Sequence, residues 1–155
     1  MREERWLRYA ALFYATGLAL HTADHLRRGV DAVTPQVLWA GNVSTLLGVT
    51  TVVLVLLGHR LGPLAAAVTG LPVAIGVSAV HLLPEWSAAL SDAFPGARGT
   101  GVTAMSWTVV LIEIAGAALM GAIGLTIVLK DRSYAAVGMP RRSSTGPSRS
   151  TKLSK

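Results

Sequence analysis

Residues 102–129 read VTAMSWTVVLIEIAGAALMGAIGLTIVL, and within them a single side chain, Glu113, is ionisable. A helix crosses a bilayer with ~20 predominantly apolar residues, so this stretch is long enough to span one. Glu113 shares a helical face with Gly116, Ala117, Gly121 and Gly124. A carboxylate on a face of small residues points at a neighbouring helix, because small residues are what permit close helix contact in membranes.

Working outward, three more apolar stretches of spanning length precede it, at residues 6–26, 37–58 and 62–83. The four together predict an all-α integral membrane protein, a four-transmembrane-helix up-down bundle filling residues 1–132. The connection at 59–61 is so short that the second and third helices must form a tight antiparallel hairpin. The connection at 84–101 contains PEWSAALSDAF, where Trp86, Ala89, Leu90, Ala93 and Phe94 recur at helical spacing. That spacing predicts a short interfacial helix over about 85–94. Residues 133–155 are rich in Ser, Pro, Lys and Arg, which predicts a disordered basic tail. The first stretch has basic flanks like a signal peptide, but no small-x-small cleavage pattern follows it, so it reads as a retained helix.

Composition agrees. Residues of the AVILMFWYC set make up 52% of the chain, and 14% are charged, about half the share of a soluble domain. No cysteine is present, which excludes disulfides, thiolate metal sites, iron–sulfur clusters and covalently attached haem. The net charge is +6, but half of the 14 Lys and Arg follow Leu129, forming a tail rather than a nucleic-acid groove. The bilayer is the expected partner, with a homo-oligomer or a second membrane protein beside it, and no nucleic acid. Arg2, Arg5, Arg8, Arg60 and the tail fall on one side, against Arg27, Arg28 and Arg98 on the other. The positive-inside bias therefore predicts a multi-pass cell-membrane protein with both termini cytoplasmic.

Ionisable residues inside spans are costly and mark functional sites. Here they are His21, Asp24 and His25 in the first helix, His81 in the third and Glu113 in the fourth. His21 and His25, four apart, project from one helical face and suit a shared ion. Tyr14 continues that stripe. Counting 1.5 Å per residue from the helix ends places His21, Asn42, Ser78 and Glu113 at one depth.

Three functions follow from this layer. In the first, His21, His25 and His81 bind a transition metal (Zn, Fe, Cu or Mn) or haem b, with Asp24 and Glu113 as further ligands. Asn42, Ser78 and Tyr14 would then form the surrounding pocket. In the second, the chain is a non-catalytic scaffold or accessory subunit whose polar residues are interhelical hydrogen bonds. In the third, Glu113 and the histidines relay protons or ions. No residue is singled out as a catalytic nucleophile.

Overall fold

The computed structural model describes residues 2–97 and 101–136, and every regular element in them is helical. Helix α1 spans Arg2–Arg28, α2 Pro35–Leu56, α3 Gly62–His81 and α4 Ala104–Ala136, with one 3-10 turn at Val30–Ala32. Segments Pro35–Leu56, Gly62–His81 and Ala104–Ser133 are long and apolar enough to cross a membrane. Helix α1 has the length but not the composition. Arg2, Glu3, Glu4, Arg5 and Arg8 charge its start, Asp24, Arg27 and Arg28 charge its end, and His21 and His25 add polar rings there.

Local signals set the helix boundaries. The Thr34 hydroxyl accepts from the Val37 amide at 3.2 Å and caps α2, with Pro35 in the first turn. Gly58, at φ 66°, stops α2: its amide donates to the Val55 carbonyl and that of His59 to Leu54, closing the tight hairpin. Helix α4 continues through Ala136, beyond the expected end at 129, so the first residues assigned to the tail are helical. The remainder of the expected tail, 137–155, lies outside the described residues.

Helix α4 is the hub. It runs antiparallel to both α1 and α3 at distances that only glycine allows. A Cβ on Gly17 would stand 2.7 Å from the Glu113 Cα, and one on Gly116 would stand 2.6 Å from the Tyr14 Cα. On the other side, a Cβ on Gly70 would stand 2.6 Å from the Ala117 carbonyl. These are small-residue seams of the kind that hold membrane helices together by close packing. Tyr14, Val110 and Met120 fill the space between them and are fully buried. Helix α2 joins through its C-terminal half, where Gly48, Thr51, Val52 and Val55 are buried. There the Thr51 hydroxyl donates to that of Thr69 in α3 at 3.0 Å.

The interfacial helix expected over 85–94 does not form. Ser87 and Ser91 bond the local backbone instead: the amides of Trp86 and Ser87 donate to the Ser91 hydroxyl, and those of Ala89 and Leu90 to the Ser87 hydroxyl. Such bonds offer the chain an alternative to helical pairing. Beyond them, the Asp92 and Phe94 amides donate to the Val80 and His81 carbonyls, folding the segment back onto the end of α3.

Candidate metal centre

The α1 C-terminus, α2 N-terminus, α3 C-terminus and α4 N-terminus share one end of the bundle, called here the upper end. His21 and His25 come from one face of α1, and His81 is the last residue of α3. The α1–α4 and α3–α4 seams, both on α4, bring the three rings together. Ring centroids are 4.7 Å apart for His21 and His25, 4.9 Å for His21 and His81, and 5.5 Å for His25 and His81. One nitrogen from each lies within 4.8 Å of the other two.

Two of the three histidines, His21 and His81, are held through Nδ1. Gly17 lets α4 approach so closely that Glu113, buried, meets His21 one turn above, and its Oε2 pairs with His21 Nδ1. His81 Nδ1 lies 3.1 Å from the Asp92 carbonyl oxygen and 3.4 Å from Asp92 Oδ2. His21 Nε2 is buried and has no hydrogen-bond partner. An imidazole anchored on one nitrogen by a carboxylate or carbonyl, with the other left free, is how metal-binding histidines are oriented.

Above the rings lies a roof. Arg28, its side chain wholly buried, donates from Nη1 to Asp92 Oδ2 at 2.8 Å and from Nη2 to Oδ1 at 2.7 Å. Its guanidinium also stands 5.3 Å over the Phe94 ring, which lies 4.8 Å from His81 and 5.5 Å from Trp107. Burial opposes the charge on Asp92, but hydrogen bonds from His81 and Arg28 and the guanidinium charge outweigh it. They hold the carboxyl well below the usual carboxylate range.

Of the residues expected at the site, the three histidines converge, and Glu113 reaches them through His21. Asp24 turns aside. It is 1% exposed, and its Oδ1 accepts from Arg27 Nε at 2.9 Å. Arg27 Nη2 in turn donates to the Gly101 carbonyl and the Ser106 hydroxyl. Tyr14 is buried below the layer, its hydroxyl against Gly48 and without a partner. The Ser78 hydroxyl donates back to the Ala74 carbonyl at 2.7 Å. Asn42 is exposed on α2 and does not join the cluster. Sequence reasoning missed Asp92, Phe94 and Arg28. The sequence offers Asp92 eleven residues after His81 and Arg28 at the end of the first helix, but nothing in it pairs the two. The chain matches no protein-family model, no curated protein and no solved structure.

Proposed function

We propose that this is a four-span membrane protein that binds one transition-metal ion on His21, His25 and His81, and that zinc is the ion. Helix α1 is the fourth span: it packs along α4, keeps its histidines and Asp24 inward, and turns Tyr9, Leu12, Phe13 and Leu20 outward. The distribution of Lys and Arg supports cytoplasmic termini, which puts the upper end at the outer face.

Two observations carry the metal reading: His21, His25 and His81 bring one nitrogen each within 4.8 Å of the other two, and His21 Nε2 is buried without a hydrogen-bond partner. An unpaired buried polar atom costs ~1–3 kcal/mol, and a shared ion at about 2.0–2.1 Å from each nitrogen removes that cost. Three neutral imidazoles suit zinc, with a fourth position left for water or substrate. Rings in mutual contact leave no flat slot for a porphyrin, which favours an ion over haem. A scaffold whose histidines served only as hydrogen-bonding groups would have paired His21 at both nitrogens. A proton relay finds no continuation below Glu113, where the Tyr14 hydroxyl has no partner.

The test is elemental analysis of protein purified in detergent without chelator, together with His21→Ala. One zinc per chain in the wild type and none in the variant is expected. Equal metal content in the two would reject the site.

A further inference from the structure

The wall of the metal centre formed by α2 is open. On the α2 face that packs the bundle, Val55, Thr51 and Gly48 are buried, but one turn higher Ser44 is half-buried and above it Gly41 is exposed. On α3 the same change occurs: Thr69 and Val73 are buried, and Gly76 on that face is exposed. A Cβ on Gly41 or on Gly76 would meet nothing within 4 Å, unlike the glycines of the α4 seams. On α1, Ala11 and Leu18 are buried, Thr22 is exposed and His25 is half-buried, the least buried of the three histidines.

Above Gly48, therefore, α2 leaves its neighbours. It is fastened again only at its N-terminus, where Val37 is buried and the Thr34 hydroxyl donates to the Ala89 carbonyl at 2.6 Å. The gap between is a side window at the height of the histidines. His25 is on its wall, and the unpartnered Tyr14 hydroxyl is at its foot beside Gly48. The roof and the α1–α4 side are closed. Residues 92–94 and Arg28 roof the rings, and the His21–Glu113 and Asp24–Arg27–Ser106 contacts bind α1 to α4. In a spanning bundle the window opens on hydrocarbon.

We propose that the window admits a membrane-dissolved amphiphile, a single hydrocarbon chain ending in a metal-coordinating oxygen group. The head takes the open position on the ion, and the chain lies between Gly41, Ser44 and Gly76. This inference rests on the metal reading above. A ligand arriving from water through the roof would have to break the bidentate Arg28–Asp92 pair, whereas a chain entering the window from the bilayer leaves that pair intact and buries apolar surface along α2 and α3.

The experiment uses the full chain in detergent micelles with cobalt(II) as a spectroscopic substitute, probed with octanohydroxamate and with acetohydroxamate. Both carry the same chelating head; only the first carries a chain. The octanoyl compound is expected to shift the cobalt visible spectrum at about tenfold lower concentration, an advantage that Gly76→Leu and Gly41→Leu largely remove. Micelle partitioning is common to all the proteins, so an advantage that survives both substitutions overturns the window. Equal potency of the two compounds on the wild type also overturns it. A wild-type cobalt spectrum indistinguishable from that of His21→Ala defeats the metal reading itself, and this inference with it. A normal cobalt spectrum without chain preference defeats the inference alone.

Discussion

Gly17, Gly70, Gly116 and Gly121 bring α4 backbone to backbone with α1 and α3, whereas at the upper end contact passes through long polar side chains. There, His21 reaches Glu113, Arg27 reaches Ser106, and Arg28 and His81 reach Asp92. The seams bury mostly apolar and small residues, with the Tyr14 hydroxyl as a buried polar atom left without a partner. The upper end keeps imidazole and carboxylate groups buried, with His21 Nε2 and Asp24 Oδ2 unsatisfied. Such local departures from full pairing cluster at functional sites. The seams supply rigidity, and the upper end uses it to hold charged groups in place.

Substitutions can break either half. Gly116→Val drives a side chain into the Tyr14 backbone, where no rotamer change gives room. A loss at or above the top of the ~1–3 kcal/mol range for overpacking is expected, read as failure to assemble or a much lower melting temperature in detergent. At the upper end, Asp92→Asn takes the bidentate carboxylate from the buried Arg28. Removing one partner of a fully buried ion pair costs ~3–5 kcal/mol; nearness to the surface brings the expected loss to about 2–3 kcal/mol by thermal denaturation.

Smaller changes sharpen the contrast. Glu113→Gln keeps size and hydrogen bonding but removes the charge behind His21. Zinc affinity should fall by about 10–100-fold in competition titrations, while the metal-free melting temperature stays level or rises. Gly76→Ala should act opposite in sign to any seam substitution. Its Cβ meets open space, so helix propensity dominates and stability rises by about 0.5–1 kcal/mol. Least of all, Thr51→Val removes the hydroxyl bond to Thr69 and should cost ~0.6 kcal/mol, the usual worth of an interhelical bond in a membrane protein.

Much of this contrast is legible in the sequence, for physical reasons. The apolar runs around α2, α3 and α4 need no tertiary information, and the Glu113 face of small residues indicates an inward carboxylate. His21 and His25 declare a shared face by their spacing. Depth, however, is readable where direction is not. Asn42 has the right height, yet α2 leaves the bundle below it and the side chain is exposed. Ser78 has the right height too, and spends its hydroxyl on the Ala74 carbonyl. The segment 85–94 has helical spacing, but Ser87 and Ser91 capture its amides, and Asp92 and Phe94 turn inward onto α3. Those competing bonds depend on the end of α3 being near, which periodicity does not encode. Asp92 thus looked like a surface residue of a connector, and Arg28 like one more charge at a helix end.

Whether His21, His25 and His81 hold a metal ion together is read most directly by X-ray absorption at the zinc edge of the purified protein. A first shell of nitrogen at about 2.0–2.1 Å with the outer-shell scattering of three imidazoles is expected, reduced by one ring in His81→Ala. A shell of oxygen alone, or a spectrum that His21→Ala, His25→Ala and His81→Ala all leave unchanged, would contradict it.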